Sequence, residues 1–259
     1  MIRAIQPLIL LSNDDGYQRD GIQVLFRRLR PLGRTVIVAP DRERSASSLA
    51  LTLRQPLRLH RVKPHIWAVD GTPADAIYFA LSKVLPRPPD LLISGMNPGP
   101  NLGLLDAHYS GTVAAAFQGT FFGIPSIAVS MVPDAAGRYF PEPSADIVFR
   151  IVERILAGRF PEGITLNVNI PPPPVRGIAL TRLGEKFYDR EVIEKKDPHG
   201  QAYYWIGTGH PVSAGKPGTD IWAVERHDVA VTPLRADLSV RESSGRTPVR
   251  KLFQGLSFD

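Results

Sequence analysis

Leu8-Ile9-Leu10-Leu11-Ser12 runs directly into Asn13-Asp14-Asp15-Gly16, and this junction decides the fold. An unbroken apolar run of this length reads as a strand buried on both faces, the kind found in parallel sheets. Ile22, Leu25, Phe26 and Leu29 then recur at helical spacing until Pro31 and Gly33 stop the pattern. Thr35–Ala39 is a second buried strand closed by Pro40-Asp41. A strand, a helix and a parallel strand make a right-handed crossover unit.

The same alternation continues outward. Leu51, Leu53, Leu57 and Leu59 alternate across residues 50–60, which predicts an antiparallel excursion broken at Pro56. Ile66–Val69 is a short strand, and Thr72-Pro73 opens a helix with an N-cap and a first-turn proline. Asp90–Ile93 is a further strand, and residues 94–109 read as a loop rich in Gly, Asn and Pro. A helix beginning over Thr112–Gln118, a strand at Ser126–Val129 and a helix marked by Ile147, Val148, Ile151, Val152 and Ile155 follow. The expected architecture is α/β, a Rossmann-like, doubly wound, mostly parallel sheet.

Pro171-Pro172-Pro173-Pro174 interrupts this pattern. The expectation is one domain over residues 1–259, with a catalytic core at 1–170 and an irregular, β-rich C-terminal extension at 171–259. That extension has a polar stretch at 184–202, the aromatic run Tyr203-Tyr204-Trp205-Ile206, a short helix near Asp220–Glu225 and a strand near Val229–Thr232. It could fold back on the core or reach a partner subunit.

Composition narrows the class. The 259 residues include no cysteine, so disulfides, zinc–thiolate sites and thiol nucleophiles are excluded. No apolar run approaches a membrane span, and the N-terminal apolar segment is too short for a signal sequence, so a cytoplasmic protein is expected. The net charge of +6 favours anionic ligands, but the basic residues are dispersed and nucleic-acid binding is not expected.

Three loops at strand C-termini carry the polar residues. Adjacent Asp14 and Asp15 beside a buried strand repel each other unless a cation or hydrogen bonds compensate, and all-oxygen ligands suit Mg²⁺, Mn²⁺ or Ca²⁺. The alternative is an Asx-turn with a helix cap. Arg42, Arg44, Ser45, Ser47 and Ser48 follow the second strand, offering hydroxyls and guanidinium groups to a metal or phosphate. In the third loop Asn97 offers a carbonyl oxygen, and Ser110-Gly111-Thr112 opens a helix with N–H groups and hydroxyls suited to an anion. His108 lies beside it. The nucleophile elbow, the P-loop and the dinucleotide glycine fingerprint are absent.

Taken in order, Ser12-Asn13-Asp14-Asp15-Gly16, Gly21-Ile22-Gln23 with Leu25, Val38-Ala39-Pro40-Asp41-Arg42 with Arg44-Ser45, Asp70-Gly71-Thr72-Pro73-Ala74-Asp75, Ser94-Gly95 with Asn97, Gly99, Asn101 and Gly103, Tyr109-Ser110-Gly111-Thr112-Val113-Ala114 and Val231-Thr232-Pro233-Leu234 resemble the survival protein SurE family of 5′/3′-nucleotidases. The resemblance implies a phosphomonoesterase of nucleoside 5′- and 3′-monophosphates, with some action on short polyphosphate. It implies one divalent cation per subunit on Asp14, Asp15, Ser45 and Asn97; Asp14 and Asp15 are the catalytic candidates, either one able to take the proton of a metal-activated water. It implies phosphate or substrate contacts from Asn13, Asn101, Ser110, Gly111 and Thr112, and a dimer or tetramer that exchanges C-terminal segments. Two rivals remain: a non-catalytic nucleotide- or nucleic-acid-binding module, and a phosphatase forming an aspartyl-phosphate.

Overall fold

The computed structural model describes residues 6–188, 191–206, 212–213 and 215–239. In chain order the elements are β1 Leu8–Ser12, α1 Asp20–Leu29, β2 Arg34–Pro40, β3 Leu59–Lys63, β4 Ile66–Val69, α2 Pro73–Phe79 with a π-helical turn at Ala80–Val84, β5 Leu91–Pro98, α3 Gly103–Tyr109 and α4 Gly111–Phe121. They continue with β6 Ser126–Met131, α5 Pro141–Ala157, β7 Ile164–Ile170, β8 Gly177–Leu180, β9 Lys186–Phe187, β10 Val192–Lys196, β11 Ala202–Ile206, β12 Val212–Ser213, α6 Asp220–Glu225 and β13 Asp228–Arg235.

The apolar run of β1 is explained by what covers it. Ile9 and Leu11 face the side chains of α1 and α5, while Leu8 and Leu10 face those of α2 and α4. Both faces are therefore dry, and the strand has no polar side to show until Ser12. The nine-stranded sheet runs β3-β4-β2-β1-β5-β6-β7-β13-β8. Strands β4, β2, β1, β5, β6 and β7 are mutually parallel. Beyond β1 the chain winds first toward β2 and β4, then returns toward β5, β6 and β7. The switch point lies between the C-terminal ends of β1 and β5, where Ser12 and Ser94 are register partners.

Helix α2 begins as its sequence predicts. Thr72 Oγ1 accepts from Asp75 N at 3.1 Å, and Thr72 N donates to Asp75 Oδ2 at 2.9 Å, a reciprocal capping box ahead of Pro73.

Three segments differ from expectation. The alternation at 50–60 forms no strand before Leu59; Leu53 is 84% exposed, and pairing starts only after Pro56, as β3 antiparallel to β4. The stretch 94–109 is not all loop, since β5 extends to Pro98 and α3 occupies Gly103–Tyr109. Strand β7 is passed over by an apolar-run criterion because Thr165, Asn167 and Asn169 alternate with Leu166, Val168 and Ile170.

The stretch after residue 170 contributes to three sheets, one of them the short antiparallel pair of β9 and β12. β8 and β13 complete the main sheet, β13 lying antiparallel to β7. The hairpin of β10 and β11 forms a separate two-stranded sheet, exposed along its length. Residues 240–259 lie outside the described residues.

Candidate active site

The chain turns sharply after β1. Asn13 Nδ2 donates to the Gly16 carbonyl at 2.9 Å, and Gly16 N donates to Asn13 Oδ1 at 3.1 Å. Gly16 has φ +103°, and a Cβ there would sit 3.3 Å from the Arg42 backbone. Asn13 thus spends both ends of its amide on the turn. It braces the turn that carries the two acids.

Asp14 and Asp15 are 5% and 9% exposed. Asp14 Oδ1 accepts from the Thr112 hydroxyl at 2.5 Å, which ties the acid to the first turn of α4. Gly111 makes this approach possible, because a Cβ on it would lie 2.8 Å from Asp14 Cβ and 3.1 Å from Ser47 Oγ. Asp15 Oδ2 is buried with no hydrogen-bond partner. Burial pushes the Asp14 carboxyl above its ordinary value, with the Thr112 hydroxyl partly offsetting it. Burial, then the neighbouring Asp14 and Glu43 charges, raise Asp15 to about 7, with Arg19 opposing weakly.

The second loop is fastened to the first. Arg44 N donates to the Asp14 carbonyl at 2.7 Å and Tyr17 N to the Pro40 carbonyl at 3.0 Å. Ser45 lies on the exposed side, its hydroxyl donated to Glu43 Oε1 at 2.8 Å, and Glu43 pairs with Arg19 at 3.1 Å. Asp15, Arg19, Asp41, Arg42 and Glu43 line a cleft of about 460 Å³.

In the third loop, Asn97 Nδ2 donates to the Gly99 carbonyl at 2.7 Å, which fixes the amide and leaves Oδ1 as its acceptor end. Ser110 caps α4 by accepting from Val113 N at 3.0 Å, so its hydroxyl hydrogen remains for a ligand. Thr112 spends its hydroxyl on Asp14. What the helix opening offers an anion is therefore the Ser110 hydroxyl hydrogen and main-chain N–H groups. Asn101 is buried and closely held by strands β6 and β7. His108 is exposed, with Nδ1 on the Leu104 carbonyl at 2.7 Å and its own carbonyl accepting from Ser48 Oγ at 2.9 Å.

A pattern of orphaned atoms ties these parts together. Among the described residues the buried side-chain atoms without a partner are Ser12 Oγ, Asp15 Oδ2, Arg44 Nε, Ser47 Oγ, Ser94 Oγ and Asn167 Oδ1. Ser12, Asp15, Arg44 and Ser47 belong to the end of β1 and the loops after β1 and β2, Ser94 lies beside Ser12 in β5, and Asn167 alone stands mid-strand in β7. Each orphan costs roughly 1–3 kcal/mol, so the gathering of the first five here points to a ligand that satisfies them. A larger cavity of about 520 Å³, lined by Phe117, Phe121, Leu183 and Leu234, runs along α4 and β13. Its lining is mostly apolar, with Ser48, His108, Thr181, Arg182, Thr232 and Arg235 as its polar members, and it lacks the acids.

Residues 9–190 match the family described as Survival protein SurE. The chain belongs to the SurE family. It is 46% identical over 234 residues to the 5′-nucleotidase SurE of Pelobacter propionicus, covering 89% of this chain and 94% of that one. It is 45% identical over 244 residues to the 5′-nucleotidase SurE of Vibrio parahaemolyticus, covering 92% of each. The crystal structure of the SurE protein from Aquifex aeolicus superposes with a TM-score of 0.79 at 40% identity, covering 90% of this chain and 95% of that one. The SurE-type sheet and its helices are thus shared with a solved relative.

Sequence reasoning passed over Glu43, which faces both acids electrostatically, and did not single out the pair Asn167 and Asn169. The signal for the last two was available: asparagines are poor strand residues, yet two stand two apart in Ile164–Ile170. No helix among the described residues is long and apolar enough to cross a membrane.

Proposed function

We propose that the chain is a divalent-metal-dependent 5′-nucleotidase, hydrolysing nucleoside 5′-monophosphates to nucleoside and phosphate. One observation carries the reading. Two adjacent acids, buried at the switch point of a parallel sheet, abut the opening of helix α4, and one keeps an oxygen without a partner.

The residues fit a hard cation. Asp14, Asp15, Ser45 and Asn97 would hold it through carboxylate, hydroxyl and amide oxygens, a donor set suited to Mg²⁺ or Mn²⁺ and also to Ca²⁺. When bound, such a cation neutralises charge on the phosphoryl group and makes water more acidic.

The protein's own groups do the rest. The Thr112 hydroxyl fixes the orientation of Asp14. Main-chain N–H groups at Gly111 and Thr112, with the Ser110 hydroxyl, hold the phosphoryl oxygens at the positive end of α4. Asp15 Oδ2, unpartnered and buried, is the atom that accepts a proton from the attacking water. The water oxygen bonds to phosphorus as the ester P–O bond breaks, and the leaving nucleoside oxygen takes up a proton from solvent while the proton held by Asp15 is later released, giving nucleoside and phosphate. The grip falls on phosphate, a group common to 5′- and 3′-monophosphates and short polyphosphate, so these belong to the proposed substrate range.

Phosphate release from a panel of nucleoside monophosphates, with Mg²⁺, Mn²⁺ or chelator, tests the reading. The expected result is release that stops on chelation and returns with added cation. Nucleotide binding with no release, or full activity after exhaustive chelation, would overturn it.

We also infer self-association into a dimer or tetramer through the C-terminal stretch. The β10–β11 hairpin presents Val192, Ile193, Tyr203, Tyr204, Trp205 and Ile206, all exposed. Aromatic side chains of this kind anchor interfaces.

A further inference from the structure

Asn167 and Asn169 stand in a strand of the main sheet and are both fully buried. Their alternation with Leu166, Val168 and Ile170 places them on one face of β7, on the same side as Thr165, whose hydroxyl meets that of Thr120 in α4. Ser130 of β6 is the register partner of Asn169, so the two side chains stand next to each other on that face. Apolar residues would fill these positions more cheaply, and Asn167 Oδ1 lacks a partner. Core packing does not account for the pair.

Their hydrogen bonds do. Asn169 Oδ1 accepts from Asn101 N at 2.8 Å, and its Nδ2 donates to the Asn101 carbonyl at 3.1 Å. Asn167 Nδ2 donates to the same carbonyl at 2.8 Å. Ser130 Oγ accepts from Asn101 Nδ2 at 2.7 Å. One residue of the β5–α3 loop is thus held at its N–H, its carbonyl and its side chain by buried groups from two strands. The Ser130 hydroxyl takes one hydrogen of the Asn101 Nδ2, so the second N–H of that amide is the donor left for a phosphate oxygen.

We propose that Asn167 and Asn169, with Ser130, are positioning residues for Asn101, seating its amide against the substrate phosphate. The inference rests on the nucleotidase reading above and deepens it. It separates two tasks within the site: Asp14 and Asp15 answer for the cation, and the strand β7 asparagines answer for the grip on phosphate.

The test uses the full-length protein. Wild type, Asn169→Ala, Asn167→Ala, Ser130→Ala, Asn101→Ala and the Asn101→Ala/Asn169→Ala double variant are compared in three measurements: KM for a nucleoside monophosphate at saturating Mn²⁺, inhibition by inorganic phosphate, and Mn²⁺ affinity without substrate. For Asn169→Ala the expected result is about a tenfold rise in KM and in the phosphate inhibition constant, the loss of one good polar contact, with Mn²⁺ affinity unchanged. Ser130→Ala removes one bond with little disturbance and should shift both constants in the same direction, more weakly. The double variant should be no worse than Asn101→Ala alone, because the pair acts through that side chain.

An Asn169→Ala effect that persists undiminished without the Asn101 side chain overturns the proposal. So does a loss of Mn²⁺ affinity in step with phosphate affinity, which marks general distortion. If Asn169→Ala fails to fold, unmoved constants in Ser130→Ala overturn it equally. A wild-type protein that neither hydrolyses nucleotide nor binds phosphate overturns the nucleotidase reading together with this one, whereas an active wild type with unmoved variants overturns the positioning role alone.

Discussion

Two groups of acids, Asp106 with Asp220 and Asp14 with Asp15, have surroundings that differ in kind. Asp220 is fully buried, yet its carboxylate accepts main-chain N–H groups from Gly103 at 2.8 Å, Gly184 at 2.8 Å and Ile221 at 2.9 Å. Asp106 meets Lys186 at 2.5 Å and the Tyr188 hydroxyl at 2.6 Å. These acids are satisfied by the chain itself and fasten the C-terminal stretch to α3. Asp14 and Asp15 are similarly buried, but Asp14 is met by the Thr112 hydroxyl and by main-chain N–H groups of Asp14 and Thr112 that do not offset its burial, and Asp15 keeps an unpartnered oxygen. A buried acid that the protein satisfies is a strut. A buried acid that it leaves unsatisfied is waiting for something the chain does not supply.

Breaking the unsatisfied pair should have the largest effect on turnover and little effect on the fold. Asp14→Asn or Asp15→Asn should lower turnover by roughly 10²–10³-fold or more, the scale seen when a group that stabilises reacting charge is lost. Thermal stability without metal should hold or rise, because each change relieves repulsion between neighbours. Near-normal turnover in either variant, with the fold intact by circular dichroism, would remove Asp14 and Asp15 from the chemistry.

The strut should behave in the opposite way. Asp220→Ala strands three main-chain N–H groups and should cost about 3 kcal/mol or more in urea denaturation. If Asp220→Ala were neutral while Asp14→Asn destabilised the metal-free protein, the contrast drawn between the two groups would be inverted.

These two kinds of acid were not equally legible in the sequence. Adjacent acids after an apolar run mark a site because the run fixes their place at a sheet edge, and Asp14-Asp15 could be read this way from the chain alone. Asp220 could not, since its three donors come from Gly103, Gly184 and its own helix, far apart in sequence. The parallel core was readable because β1, β2, β5 and β6 are dry on both faces and so nearly continuously apolar. Strand β7 was not, because its polar face serves Asn101 rather than the core. The helix α3 was hidden in a Gly- and Pro-rich segment whose folding depends on the Asp220 carboxylate and the Gly184 carbonyl.

A smaller effect follows from proton linkage at Asp15. Its pKa is about 7 in the folded protein against 3.8 for the ordinary carboxyl. Between those values the folded state keeps a proton that the unfolded state has released. Stability of the metal-free protein should therefore be greatest near the lower value, fall as pH rises through the window and level off above about 7. Divalent cation should restore stability most at the upper end, where the site is ionised. A melting profile that is flat from pH 4 to 8, or one equally steep in Asp15→Asn, would contradict this.

The smallest effect on turnover is expected from the region farthest in character from the acids. The β10–β11 hairpin pairs Val192 with Ile206, Ile193 with Trp205 and Glu194 with Tyr204. A lone two-stranded hairpin is marginal in water, yet Tyr204 and Trp205 are each 61% exposed and Ile206 is 89% exposed. Apolar surface of this extent on a hairpin detached from the main sheet calls for another surface, and exchange of such a segment between copies is a low-cost route to a dimer. Replacing Tyr204 and Trp205 with Ala should shift the mass measured by light scattering toward monomer, while turnover per chain at saturating substrate stays at the wild-type level, because Asp14, Asp15, Asn97 and Thr112 all lie before β6. Wild-type protein that is monomeric at micromolar concentration would leave the hairpin without its proposed partner. Dissociation accompanied by loss of turnover would show instead that the second copy completes the site, and the division between a chemical core and an assembling tail would fall.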